Sequence, residues 1–398
     1  MKVFILNCGS SSVKYQLLDM DNESVLAKGQ VERVGIDGTF LVHKRPGAAD
    51  YRVELGKADH KESISRVLEV LADPTYGVLK STKEINAVGH RVVHAGEKFS
   101  GSVRITPEVK EALRECIDLA PLHNPPNLQG IAAIDALLPD VPQVGVFDTA
   151  FHATLPQKAF LYGIPYEYYR KYKIRRYGFH GTSHKFVSER AAELLKRPLS
   201  ELKIITCHLG NGASITAVQG GQSVDTSMGF TPLEGLIMGT RSGDIDPAII
   251  EYIGAKEGLD AGGVINILNK KSGILGLSEI GSDMRDIEDA YFRGDENAKR
   301  ALEAYCYRVA KYIGAYTAAM NGVDCIVFTA GVGENAPIVR KLVCDYLGYL
   351  GVELDAAENE KRGEHEISTA ASKVRVWVIP TNEELAIARD TKRLALGN

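Results

Sequence analysis

The chain reads as an α/β protein made of two similar halves. Three observations carry that reading. Its 398 residues exceed what one hydrophobic core usually serves, so two domains are expected. A strand, glycine turn, strand construction occurs twice, in "NCGSSSVKY" (7–15) and "IITCHLGNGASITAV" (204–218); an offset of 201 residues sets Gly9 on Gly210 and Asn7 on His208. Strand-like runs then alternate with segments of helical period along the chain.

The elements follow in order. Residues 3–6 (VFIL) are a short apolar run, read as a buried strand, and Val13, Tyr15 and Leu17 alternate with Lys14 and Gln16 as a second. The Gly/Ser stretch between them is then a hairpin tip whose backbone NH groups can face an anion. It is not a Walker loop, which needs Gly-x4-Gly-Lys-Ser/Thr before a helix. A weaker echo pairs "AVGHRVVHAG" (87–96) with "CIVFTAGVG" (325–333). "PQVGVFDTAF" (142–151) reads as a strand ending at Asp148. "GTSHKFVSERAAELL" (181–195) reads as a helix capped by Thr182 or Ser183. Leu302, Cys306, Val309, Ile313, Tyr316 and Met320 fall at spacings of three and four, which predicts a helix over 299–320. "AGVGEN" (330–335) closes a strand before a helix at Pro337. "RVWVIP" (375–380) is a strand and 381–396 a terminal helix. The expected division is 1–150 plus 385–398 for one lobe, with the first phosphate hairpin and a carboxylate site. The other lobe, 151–384, holds the second hairpin and a nucleoside site.

Hydrophobic residues make up 44% and charged residues 25%, the balance of an ordinary globular protein, and the net charge of −4 argues against nucleic acid or an anionic membrane as partner. The six cysteines form no Cys-x-x-Cys pair, so no zinc or thioredoxin-like site is supported, and reduced thiols of a cytoplasmic protein are expected. No apolar run approaches a membrane span, and the N-terminus is too short in apolar residues for a signal peptide.

Each motif carries a plain alternative. Gly and Ser suit any tight turn, but two such turns at matching places point to phosphate, with Lys14 as a point charge. His180 and His208 can be structural hydrogen-bonders, although His180 precedes a helix start that favours anions. His123 sits in "PLHNPPN", read as a loop built by its prolines. "DTSMGFTPLEGLIMGTRSGDIDP" (225–247) is a long apolar, Gly-rich loop, and a loop of that kind is usually functional. Arg241 within it reads as an anion clamp or as half of a surface ion pair. Arg91 lies in a strand-like run and needs a partner, either a substrate carboxylate or a protein one. Asp148 is a helix cap or a catalytic group at a strand's C-terminal edge. Thr381-x-x-Glu384 reads as a capping box. "YYRKYKIRRY" (168–177) mixes aromatic and basic residues and reads as a solvated face or subunit contact.

"LNCGSSSVKY", "GFHGTSHKFV", "HLGNGASITAV", "DTSMGFTPLEGLIMGTRSGDIDP" and "AGVGEN" together resemble the acetate kinase family, from Met1 to the terminal helix. The resemblance implies the duplicated α/β domains of the acetate and sugar kinase, chaperone ATPase and actin superfamily, with nucleotide in the interdomain cleft. It implies a cytoplasmic homodimer using ATP and ADP as co-substrates and Mg2+, with Mn2+ able to substitute. Carried over by motif, Asn7 and Glu384 are metal-associated, which reverses the capping-box reading of Glu384. Ser10, Ser12 and Lys14 line one phosphate loop, and His208, Leu209, Gly210, Asn211 and Gly212 the other. Asp283, Met284, Arg285, Gly331, Val332, Gly333, Glu334 and Asn335 hold the nucleoside. Arg91 binds the acetate carboxylate, while Val93, Leu122, Phe179 and Pro232 wall its methyl pocket. Asp148, His180 and Arg241, with His123, are catalytic. The implied reaction is reversible, direct in-line transfer from ATP to acetate, giving acetyl phosphate and ADP. The alternatives are a propionate or butyrate kinase and, from another class, a chaperone-type ATPase or actin-like filament protein.

Overall fold

A computed structural model describes residues 1–397. The chain divides into two compact units, Met1–Phe151 with the segment beginning at Asn382, and His152–Thr381. Residues 382–384, placed by the sequence reading in the second lobe, therefore stand in the first.

The first unit is built on eight strands: β1 (Lys2–Cys8), β2 (Ser12–Asp19), β3 (Ser24–Glu32), β4 (Thr39–Lys44), β5 (Tyr51–Gly56), β6 (Ile85–Val92), β7 (Val103–Arg104) and β8 (Gln143–Phe147), in the order β5-β4-β3-β2-β1-β6-β8-β7. β1 is antiparallel to β2 and parallel to β6. Its side chains are buried on both faces, which is why VFIL is continuously apolar rather than alternating. Phe4 and Leu6 pack with Ile64 and Val67 of the helix His60–Leu71. Val3 and Ile5 pack instead with Ile387 and Ala388 of the terminal helix Glu383–Ala395. That helix supplies the second face of this sheet, so its first turn belongs to this unit. Glycine at 89 permits the approach: a Cβ there would stand 2.8 Å from Ile387 Cγ2.

The second unit has six strands: β9 (Lys203–Leu209), β10 (Ala213–Gln219), β11 (Gln222–Thr226), β12 (Cys325–Thr329), β13 (His365–Glu366) and β14 (Arg375–Val378), ordered β11-β10-β9-β12-β14-β13. β9 is antiparallel to β10 and parallel to β12, and β12 is parallel to β14. The run β3-β2-β1-β6-β8 thus has the same sense as β11-β10-β9-β12-β14. The faint echo of 87–96 in 325–333 is the correspondence of β6 with β12. The 299–320 pattern lies in a helix, Glu296–Met320, and all six of its patterned residues are buried.

Four local expectations are corrected. The helix Gly181–Leu195 is not capped by Thr182 or Ser183; His180 stands at its N-cap in the left-handed region (φ 55°, ψ 25°). Thr381 and Glu384 form no capping box. Asn382 caps the terminal helix, its Oδ1 accepting from Leu385 N at 3.0 Å, while Thr381 N donates to Glu334 Oε1 at 3.2 Å. "AGVGEN" is itself a short helix, Ala330–Asn335, ahead of Pro337–Cys344. "HNPPN" opens the helix Asn124–Leu137 with Pro in its first turn, rather than forming a loop. The basic run 168–177 is used locally: Arg175 lies 3.8 Å over the Phe160 ring, and Arg176 pairs with Glu234 at 2.7 Å.

Candidate active site

Both hairpins close as expected from their glycines. Gly9 N donates to Ser12 O at 2.8 Å and Gly210 N to Gly212 O at 3.1 Å. The last paired residues are Cys8 with Val13 and Leu209 with Ala213, so the first bend is one residue longer.

In the first unit, Ser10 and Lys14 are exposed and Ser12 is half-buried. Asn7, Lys14 and Glu384 line one cavity of about 230 Å³. Arg91 is the penultimate residue of β6, and Asp148 follows β8, its parallel neighbour. Arg91 Nη2 lies 3.1 Å from Asp148 Oδ2, and its Nε 3.6 Å from Glu383 Oε2. Asp148 thus supplies the protein carboxylate that the sequence offered as one partner for Arg91. Asp148 is 2% exposed and is the main reason the Arg91 guanidinium is held charged despite burial. Burial pushes the Glu383 carboxyl up to about 7, Arg91 opposing and Asp148 and Glu384 adding to the rise. Val93 is buried and its N donates to Asn127 Oδ1 at 3.2 Å, while Asn127 Nδ2 donates to Cys8 O at 3.0 Å. Asn127 thus ties the ends of β1 and β6. Leu122 differs from Val93: it is 70% exposed on the turn before His123, the N-cap of the following helix.

In the second unit, the expected residues around the hairpin gather closely. The His180 and His208 rings stack with centroids 4.1 Å apart. His180 Nδ1 meets Ser214 Oγ at 2.9 Å, and His208 Nδ1 meets Ser183 Oγ at 2.8 Å. Ser183 also bonds Thr381 Oγ1 at 2.8 Å. These serines fix the rings with their Nε2 edges toward the hairpin: a Cβ on Gly212 would stand 3.6 Å from His180 Nε2, and one on Gly210 3.9 Å from His208 Nε2. Behind them, burial holds His184 well below the usual histidine range, so it is neutral and accepts or donates only within its bonds to Thr206 and Ser214.

Arg241 Nη1 would lie 3.3 Å from that same Gly212 Cβ. Its contacts are Pro232 O at 3.4 Å and Met238 Sδ at 3.7 Å. It has no carboxylate partner among the described residues, so the surface-ion-pair reading does not hold. Burial alone lowers its pKa, the signature of a cation with nothing to neutralise it. The 225–247 loop docks on the hairpin through Gly239 N, which donates to Asn211 O at 2.9 Å. Phe179 is buried, and Pro232 is half-buried beside Arg241.

From this hairpin a cavity of about 810 Å³ extends past Gly210 and Asn211 to Asp283, Met284, Arg285, Gly331, Val332 and Asn335. Asp283 caps the helix Met284–Phe292 and pairs with Arg285 at 2.5 Å, which holds its carboxyl down at about 2. Glu334 is occupied within the fold, its Oε1 accepting from Ala330 N at 2.9 Å. Asn335 Nδ2 donates to Gly331 O at 2.9 Å. The turn is further held by Arg340, fully buried, whose Nη1 donates to Gly333 O at 2.9 Å and Glu334 O at 3.0 Å. Its Nε donates to Asn359 Oδ1 at 2.8 Å and its Nη2 to Asn359 O. Sequence reasoning missed Arg340, Glu383, Asn127 and the two serines, because a side chain bonded to distant backbone leaves no periodic trace.

A glycine bend with two imidazole edges and an uncompensated guanidinium, opening on a nucleoside-sized cavity, defines a phosphoryl-transfer enzyme. The model of the "Acetokinase family" matches residues 2–389, and the chain belongs to that family, phosphotransferases with a carboxyl group as acceptor. An acetate kinase of Clostridioides difficile (strain 630) is 63% identical over 396 residues, 99% of this chain and 100% of that protein. Among solved structures, Porphyromonas gingivalis acetate kinase superposes with a TM-score of 0.96 at 52% identity, covering 99% of both chains. A propionate kinase from Francisella tularensis subsp. tularensis SCHU S4 does so with 0.92 at 43%, covering 98% of this chain and 99% of that one.

Proposed function

We infer that the chain is an acetate kinase, transferring the γ-phosphoryl of ATP to acetate, reversibly, to give acetyl phosphate and ADP. The observation that carries the site assignment is Arg241: a half-buried cation with no acidic partner among the described residues, set against the glycine hairpin beside His180. A carboxylate is an anion at neutral pH, since its pKa lies at roughly 4 to 5, so it needs no general base. The obstacle is its approach to a polyanion. The hairpin NH groups, His180, His208 and Arg241 are proposed to hold the γ-phosphoryl and the charge spread over its oxygens. Ser10, Ser12 and Lys14 are proposed to serve the donor's phosphates from the first unit. Arg91 is proposed to bind the acetate carboxylate, with Asp148 orienting its fork rather than accepting the phosphoryl. Val93, Leu122, Phe179 and Pro232 are assigned to the methyl pocket, and His123 to the catalytic group. The donor's nucleoside is assigned to the cavity from Asn211 to Asn335, and Glu334 takes a positioning role there.

Asn7 and Glu384 share a cavity with Lys14. One carboxylate and one amide suit Mg2+, which takes few protein ligands and completes its shell with water and phosphate oxygens. Bound there, Mg2+, or Mn2+ in its place, supplies neutralisation of the polyphosphate charge.

A homodimer is proposed from Ile249, Tyr252, Leu259 and Ile265, large apolar side chains exposed on or beside the helices Ala248–Glu257 and Ala261–Lys270. A cytoplasmic location is supported by six cysteines, all free and buried. No helix among the described residues is long and apolar enough to cross a membrane. The propionate kinase among the similar structures favours one second reading. A single methylene in an apolar pocket is worth only ~1–3 kcal/mol, so side activity on propionate is expected. Trapping the acyl phosphate with hydroxylamine across formate, acetate, propionate and butyrate tests the assignment. Hydroxamate peaking at acetate is expected; a peak at propionate or butyrate would reassign the acceptor, and ADP release without hydroxamate would remove the kinase reading.

A further inference from the structure

The cavity beside the second hairpin is lined by two polar groups that the fold leaves unused. Tyr305, from the helix Glu296–Met320, is 1% exposed and lines the cavity, yet its hydroxyl has no hydrogen-bond partner among the described residues. A buried phenol normally finds one. Glu288, on Met284–Phe292, lines the same cavity, is half-buried, and makes no hydrogen bond or ion pair among the described residues. The same cavity reaches Gly210 and Asn211 at the phosphate hairpin. A ligand with its phosphates on that hairpin therefore shares one cavity with Glu288 and Tyr305.

We propose that Glu288 and Tyr305 read the purine of the phosphoryl donor, Glu288 pairing with adenine as a neutral acid and with guanine as a carboxylate, so that the preferred purine changes with pH. This rests on the assignment of the nucleotide to this cavity. The chemistry follows from donor and acceptor counts. A neutral carboxyl donates its O–H to adenine N1 and accepts from the N6 amino group. An ionised carboxylate only accepts, and suits the N1–H and N2–H of guanine. Hydrogen-bonding sites discriminate strongly because the wrong partner leaves buried groups unpaired.

The surroundings place the exchange within reach of neutral pH. Burial pushes the Glu288 carboxyl up to about 7, with Asp289 and Asp283 adding and Arg340 opposing. The other titratable or charged groups around Glu288 are Arg285 on the same helix, Tyr305 and Cys306 on Glu296–Met320, and Arg362. The Tyr305 phenol is itself raised by burial and stays protonated, a fixed donor at every working pH.

The test is the ratio of kcat/KM for ATP to that for GTP, measured from about pH 6 to pH 8. Titration of the triphosphate and of the acceptor cancels in this ratio. It should fall by about tenfold over that range, a net hydrogen bond gained on one side and lost on the other. Glu288→Gln, whose amide keeps one donor and one acceptor, should hold the ratio at its low-pH, ATP-favouring value. Tyr305→Phe should lower kcat/KM for both donors and leave the pH dependence intact. A flat ratio in the unmodified enzyme, or an unchanged profile in Glu288→Gln, overturns the proposal. Val332→Trp separates the two levels, since it fills the cavity. If it raises the KM of both donors while the ratio is flat, only the base reading fails. If it leaves both KM values unchanged, the nucleotide does not occupy this cavity and both readings fail.

Discussion

Replacing Arg241 by methionine removes a side chain that the fold hardly uses. Its one oxygen contact, to Pro232 O, is long at 3.4 Å, and Met238 Sδ is a weak acceptor. Losing them costs at most ~1 kcal/mol. Against that stands the cost of keeping a half-buried cation with no acid beside it among the described residues, seen in its lowered pKa, which the substitution relieves. The two effects nearly cancel, so Tm should move by no more than about 3 °C in either direction. Catalysis should fall far more. A preorganised donor to the transferring oxygens is worth about 3–4 kcal/mol, or roughly 10²–10³ in kcat, whereas the KM for ATP should change by less than about threefold. Arg241→Lys restores the charge but not the planar fork and should recover less than about tenfold. Paired thermal melts and hydroxamate assays on both variants decide the matter. If Arg241→Met keeps more than about a tenth of kcat, the clamp is elsewhere. If it instead unfolds the second unit, the picture of an uncompensated cation is wrong.

Two further outcomes follow from Glu383 and Arg340. Glu383 holds a proton in the native state up to about pH 7, while the unfolded chain releases it near 4.5. The unfolded state therefore binds fewer protons between these values, and this carboxyl lowers stability as pH rises through the window. Glu383→Gln should raise Tm at pH 8 and leave it nearly unchanged at pH 4.5; equal shifts at both pH values would contradict the assignment. Arg340→Met strips donors from Gly333 O, Glu334 O, Asn359 Oδ1 and Asn359 O. It should cost about 3 kcal/mol in urea unfolding and weaken ADP binding measured by calorimetry; a loss of stability with unchanged ADP affinity would detach Arg340 from the nucleotide turn.

The parts of the fold readable beforehand were those set by local period or by repetition. VFIL, the Val13–Leu17 alternation and the 299–320 pattern each declare a buried face, and the doubled glycine bend declares the duplication. What escaped depends on partners far away in sequence. Thr381 and Glu384 have capping-box spacing, yet Asn382 takes the cap because Thr381 is held by Glu334 and Ser183. His180 accepts a left-handed conformation, disfavoured for a residue with a Cβ, because Ser214 and the stacked His208 hold its ring. Glu288 and Tyr305 sit in well-formed helices and look like ordinary helix positions until the cavity beside them is seen. Arg241 could be suspected from its glycine neighbours, but only the fold shows that no acid among the described residues pairs with it.

The account's central claim is that the acceptor carboxylate attacks the γ-phosphorus itself, with the protein supplying charge and alignment but no nucleophile. The configuration at phosphorus tests this most directly, using ATP made isotopically chiral at the γ position and acetate as acceptor. Inversion in the acetyl phosphate is expected from one in-line displacement. Retention would mean that a group on the protein carries the phosphoryl between two displacements, and would contradict the claim.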